Sequence, residues 1–220
     1  MAIEAETKER LMRAALAVLA EDGISGASAR RIAERAEANQ ALIFYHFGSV
    51  DGLLVAASRR ESERRAEDYA ERLAATSSFG ELARLARALH AEERESGTLM
   101  VLAQLLAGSR TRPELGPVLR DNFALFTAHV ASTLERLLAG TPLEGLVDPH
   151  ELAQTVSAGF IGLELLEAVG GHDDQALFAA LDDVARLMDV VLEAGLLQRS
   201  VLRRRLRDPA RPAPKRKPKA

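Results

Sequence analysis

The stretch from Ser28 to Phe47, SARRIAERAEANQALIFYHF, constrains this chain more than any other. Its pattern predicts two short helices joined by a tight turn. Ser28 is suited to an N-cap, where its hydroxyl accepts from an otherwise unpaired first-turn N–H. Ile32, Ala33 and Ala36 then make one small apolar face. The turn falls near Glu37 and Ala38. Asn39 can cap a second helix in which Ile43 and Phe47 recur at i, i+4. Small residues at the crossing, a short turn and a polar start to the second helix describe a helix-turn-helix. In that motif the second helix enters the DNA major groove, and its first residues meet base edges.

The flanking sequence continues in helical periodicity, and no segment alternates with period two. A first helix is expected over residues 5–22, capped by Thr7, with Leu11, Ala15, Val18 and Leu19 as its stripe and Gly23 as its stop. After Gly48-Ser49-Val50-Asp51 a fourth helix is expected over about 51–75. Its Arg59, Arg60, Arg64 and Arg65 suit either DNA phosphates or a solvated face shared with Glu61, Glu63 and Glu67. Further helices are expected over about 79–95, 98–108, 115–139, 149–170 and 174–197. The segment 98–108 is nearly all apolar, which predicts burial on most sides. The reading is an all-α fold of about nine helices.

Charge is unevenly spread. Residues 199–220 carry ten basic residues and one Asp, leaving the rest of the chain strongly acidic. That basic, Pro-rich tail reads as disordered beyond about Arg207. It serves either solubility or a sequence-blind phosphate contact. The chain has no Cys, which excludes disulfides and points to a reducing compartment. The first residues lack a signal-peptide apolar block, and no apolar run reaches the roughly 20 residues of a membrane span. The expectation is a cytoplasmic protein that makes no membrane contact.

Residues 7–54, TKERLMRAALAVLAEDGISGASARRIAERAEANQALIFYHFGSVDGLL, resemble the N-terminal domain of the TetR family of bacterial transcriptional regulators. The matched features are Gly23, Ser28, Ile32-Ala33, Tyr45-His46-Phe47 and Ser49-Val50-Asp51. Three positions depart from the family pattern: Glu37 replaces the turn glycine, Phe44 a tyrosine and Val50 a lysine. A left-handed residue that is not glycine costs on the order of 1 kcal/mol, so Glu37 raises the expectation of a reshaped turn. The resemblance implies a three-helix DNA-binding domain over 1–50, with the helix-turn-helix at 28–47, and a helical effector-binding and dimerisation domain over 51–198. It also implies a ligand-released repressor that binds a palindromic double-stranded DNA operator. Carried onto this sequence, the DNA-binding residues are Ser28, Arg30, Asn39, Gln40, Ala41, Leu42, Tyr45, His46 and Ser49. Asn39 and Gln40 amides suit adenine, and Ala41 and Leu42 suit thymine methyls. The others approach phosphates.

An effector pocket is expected among the helices between about 79 and 170. Polar residues inside apolar runs, Gln104, His129 and Glu164, are candidates for its lining, with His90, Met100, Phe123, Phe126 and Phe160. The stripes on the last two helices, about 149–170 and 174–197, are wider than one core face needs. They imply a homodimer through these helices, or a monomer in which they are central. An all-α enzyme is the rival class, but the five histidines are scattered. No Glu-x-x-His pair, Gly-rich phosphate loop or nucleophile elbow appears. No catalytic residue, metal or cofactor is therefore expected. A helical DNA-binding dimer without ligand response is the other alternative.

Overall fold

The structure, a computed structural model, describes residues 2–141, 143–169 and 174–193. Among the described residues it holds nine helices and no strand: α1 Ala2–Gly26, α2 Ala29–Arg35, α3 Ala41–Phe47, α4 Val50–Ala74, α5 Phe79–Ser96, α6 Thr98–Gly108, α7 Leu115–Leu138, α8 Pro149–Val169 and α9 Asp174–Glu193. The expected end of the last helix and the whole tail 199–220 lie outside the described residues.

Most helix starts follow from local chemistry. The hydroxyls of Ser28, Ser49 and Ser78 accept from the backbone N–H three residues on, each from an extended cap residue. The Asp148 carboxylate accepts from His150 N and Glu151 N at the head of α8. Two starts differ from expectation. Helix α1 begins before Thr7, which lies inside it. Gly23, at φ 71° and ψ −179°, breaks α1 at the expected stop, and one further turn carries the chain to Gly26. Helix α3 begins one residue later than the Asn39 cap implies. The Asn39 side chain nevertheless accepts from Ala41 N at 2.8 Å, so it caps across an intervening Gln40.

Two apolar cores hold the helices together. The first joins Leu11, Val18 and Leu19 of α1, Ile32 and Ala33 of α2, Ile43 of α3, and Leu53 and Leu54 of α4. Each such Leu or Ile, taken out of water, contributes roughly 1.5–3 kcal/mol. Leu105 of α6 and Leu115 and Val118 of α7 belong to the same core. Packing is therefore continuous across residue 50, and the first turns of α4 belong to the N-terminal core. The second core lies farther along α4, where Tyr69 and Leu73 meet Leu89 of α5, Val130 and Leu134 of α7 and Ala153 of α8. Helix α4 thus runs through both.

Helix α9 is fastened to α5 by polar contacts. The Asp189 carboxylate accepts from Phe79 N and Gly80 N, both at 2.8 Å, and so caps α5 from another helix. Arg87 pairs with Asp182 at 2.5 Å and lies over the Phe178 ring. The outward faces of α8 and α9 remain apolar: Val156, Leu166, Leu181, Val184, Leu187 and Val190 are all exposed, the last two by 63% and 65%. No single helix among the described residues is long and apolar enough to cross a membrane.

Candidate functional site

Two surfaces stand out, the outer face of α3 and a cavity beneath α4. The first is built by the turn before it. Glu37 sits at φ 50°, the one positive-φ residue other than glycine among those described. Glu37 N donates to Glu34 O and Ala38 N to Ala33 O. The turn thus keeps the left-handed conformation that a glycine would take freely, rather than being reshaped. Ile43 is then fully buried and Phe47 half-buried. The 3.6-residue period turns Gln40, Ala41, Phe44 and Tyr45 outward, with Phe44 52% and Tyr45 77% exposed.

The nine residues carried over from the family resemblance fall into three groups. Gln40, Ala41 and Tyr45 form the exposed face of α3, with Asn39 exposed beside them. Ser28, Ser49 and Arg30 are exposed as well. The two serine hydroxyls are engaged as caps, and the Arg30 guanidinium pairs with Glu34 at 2.8 Å. Leu42 and His46 are turned inward. Leu42 packs on the N-terminal core. The His46 side chain is only 4% exposed, with Nδ1 3.8 Å from a Glu4 carboxylate oxygen, and its ring meets those of Tyr45 and Phe47 edge-on. Helical phase explains this: residue 46 follows Ile43 by three positions and shares its inward side. Phe44, which stands where the family pattern has a tyrosine, is part of the outward face.

The cavity holds about 530 Å³ and lies between α4, α6 and α7, with α5 and α8 closing it. Its wall is mostly apolar, including Leu102, Leu105, Phe123, Phe126 and Phe160. The apolar run of α6 is explained here. Part of it faces this cavity rather than packed side chains, and Met100 at its start is 40% exposed.

Of the expected pocket residues, Phe123, Phe126 and Phe160 line the cavity. Four do not. His90 is buried against Phe160 and Phe178, and Met100 faces out. Gln104 turns away to α1, its Oε1 accepting from Ile24 N at 3.1 Å. His129 is half-buried elsewhere on α7. The side chain of Glu164 lies outside the described set.

A polar cluster at one end of the cavity escaped the sequence. Arg65, read in the sequence as either a phosphate contact or part of a solvated face, is only 18% exposed and reaches across from α4. It donates to Glu61, Tyr69, Glu93, Ser96 and Thr98. The Tyr69 hydroxyl also donates to Glu93. Burial raises the Glu93 carboxyl above its ordinary pKa, outweighing the attraction of Arg65. Burial acts on Glu61 in the same direction, but hydrogen bonds from Arg64 and Arg65 win and its pKa falls. The helical spacing of Arg65 and Tyr69 was the one available signal; Glu93 lies on another helix.

Known proteins resemble this chain in sequence and fold. Residues 11–57 match the bacterial regulatory proteins of the tetR family. The chain is 26% identical over 161 residues to the HTH-type transcriptional repressor AcnR of Corynebacterium efficiens, covering 70% of this chain and 80% of that protein. It superposes on the multidrug binding protein EbrR complexed with imidazole at TM-score 0.59 and 27% identity, covering 81% of this chain and 94% of the other. A transcriptional regulator from Rhodococcus sp. Rha1 gives TM-score 0.60 and 26% identity, with 83% and 95% covered. Residues 11–57 thus carry, in sequence and in space, the helix-turn-helix domain of the TetR family of transcriptional regulators, and the likeness to known regulators extends along most of the chain.

Proposed function

We propose that this regulator is a repressor that binds a palindromic DNA operator as a homodimer and is released by a small molecule held in the cavity. The observation that carries the proposal is the course of α4. Its first turns, Leu53 and Leu54, are fully buried in the core that supports α3. Its middle turns, from Ser58 to Tyr69, form one wall of the cavity. A ligand that favours one placement of α4 therefore biases the placement of α3, provided it binds the two states unequally.

In this reading residues 1–50 are the DNA-binding unit, and the following helices hold the ligand and the partner subunit. Gln40, Ala41, Phe44 and Tyr45 contact the major groove, with Asn39, Ser28, Arg30 and Ser49 around them. His46 and Leu42 support α3 from behind. The apolar faces of α8 and α9 pair with their copies and set the spacing of the two α3 helices, which a palindrome requires. The repressor AcnR and the imidazole-bound EbrR support repression and ligand uptake as properties this fold accommodates.

The dimer is tested by Leu187→Glu, which places a charge at the centre of the exposed α9 stripe. Sedimentation of the wild type should give a dimer and of the variant a monomer, with DNA binding weakened at least about tenfold, the equivalent of 1.4 kcal/mol. A variant that remains dimeric contradicts this interface.

A further inference from the structure

The cavity combines an aromatic wall with a polar end at which the arginine and tyrosine donors are already spent. Arg65 has five N–H donors, and all five have partners: Glu61, Tyr69, Glu93, Ser96 and Thr98. The Tyr69 hydroxyl proton is given to Glu93. On α7 the Asn122 amide N–H₂ donates to the Ser58 hydroxyl at 2.9 Å and to the Ser58 carbonyl at 3.4 Å. A backbone carbonyl only accepts, so this contact fixes the amide orientation and leaves the Asn122 carbonyl uncommitted.

At Glu93 the capacity that remains is for accepting. The Glu93 carboxylate has lone pairs beyond those taken by Arg65, Tyr69 and Thr98, and it is 7% exposed. Burial disfavours its charge more than Arg65 compensates, so the site gains from an additional positive neighbour. Tyr69 and Phe126 lie at the same end with ring centroids 6.2 Å apart. Aromatic faces attract a cation that has shed water. The counter-charge at the cavity is Arg120, which is exposed at the wall's edge.

Resting on the reading of this cavity as the effector site, the geometry points to an amphiphilic organic cation as the effector. It would be an apolar, preferably aromatic, body carrying one protonated amine, with the amine donating to Glu93 beside Tyr69 and Phe126 and the body along Leu102, Leu105 and Phe123. A carboxylate ligand finds the Arg65 and Tyr69 donors already engaged and has to approach a buried Glu93.

The test uses three probes that share one body: 1-naphthylmethylamine, 1-naphthalenemethanol and 1-naphthoate. They are titrated calorimetrically into the full-length protein near neutral pH. The amine should bind about tenfold or more tightly than the alcohol, as a charge-assisted hydrogen bond implies, and the carboxylate most weakly. Glu93→Gln should remove the amine's advantage and leave the alcohol within about threefold of its wild-type affinity, a control that the cavity is intact. If this variant does not fold, the ranking on the wild type decides. Carboxylate binding tightest, which would assign recognition to Arg120, overturns the proposal, and so does equal binding of amine and alcohol. Amine binding with unchanged affinity for selected DNA upholds the ligand class and overturns release by this site.

Discussion

Arg112→Ala should loosen the N-terminal helices from the rest of the molecule while leaving both cores intact. Arg112 lies between α6 and α7. Its Nη1 donates to an Asp51 carboxylate oxygen at 2.7 Å and its Nη2 to Ile24 O at 3.1 Å. From the same side Gln104 Oε1 accepts from Ile24 N at 3.1 Å. Both backbone groups of Ile24 are thus held by the α6–α7 region. The approach is close: a Cβ on Gly108 would lie 2.7 Å from Ile24 Cγ1. A hydrogen bond to a charged group contributes about 1.5–3 kcal/mol. The Arg112 and Asp51 side chains are 24% and 32% exposed, so solvent screening places the pair toward the lower end. The expected loss is about 2 kcal/mol. For a chain of this size that lowers Tm by roughly 4–8 °C. Melting should be followed by circular dichroism at one fixed protein concentration, because dimerisation makes Tm concentration-dependent. Hydrogen exchange should show faster opening of the Ile24 amide. A variant with Tm within about 1 °C of wild type and unchanged exchange at Ile24 would refute the claim that this contact carries force between the two parts. Arg112→Lys should fall between, since it keeps the charge but loses the fork.

Three further outcomes follow from the same reasoning. Glu37→Gly relieves a left-handed residue worth about 1–2 kcal/mol, offset by roughly 0.5–1 kcal/mol of added unfolded-state entropy, so Tm should rise by about 1–3 °C; a fall would mean that the Glu37 side chain stabilises the turn. Asp189→Ala leaves two N–H groups of α5 without their cap and should cost about 1–3 kcal/mol, measured by urea unfolding, with a smaller loss for Asp189→Asn. Because the folded protein holds the Glu93 proton more tightly than the unfolded chain, wild-type stability relative to Glu93→Gln should decline as pH rises from the ordinary glutamate range toward the elevated Glu93 pKa; urea titrations across that range showing the opposite slope would remove the case for a burdened carboxylate.

The helices were legible because their boundaries are written in adjacent residues. Ser28, Ser49 and Asp148 each supply a cap within three positions, and the stripes on α1 and α7 repeat on the helical period. Glu37 was misread as reshaping its turn: a turn that short needs one left-handed residue, whichever side chain occupies it, and Glu37 takes that conformation. The polar end of the cavity was not legible. Arg65 sits among Glu61, Glu63 and Glu67, a pattern that also fits a solvated face. Only the packing of α5 across α4 brings Glu93 to it. Gln104 failed differently. Its place in an apolar run was read as pocket lining, but periodicity does not say which neighbour lies on that side, and the partner is the backbone of Ile24 some eighty positions earlier. His46 was read through the family as a phosphate contact, although its phase, three residues after the buried Ile43, already pointed inward.

The central claim is that the exposed face of α3 reads DNA in pairs. The most direct measurement is selection of genomic fragments by the purified protein, sequenced after washing at moderate and at high salt, with and without residues 199–220. The account predicts a short palindrome recovered at both salts and with either form, its half-sites one helical turn apart or a multiple of it. Fragments with no shared motif, lost at high salt or on removal of the basic tail, would contradict it. They would leave only the sequence-blind phosphate attraction that a positively charged segment supplies.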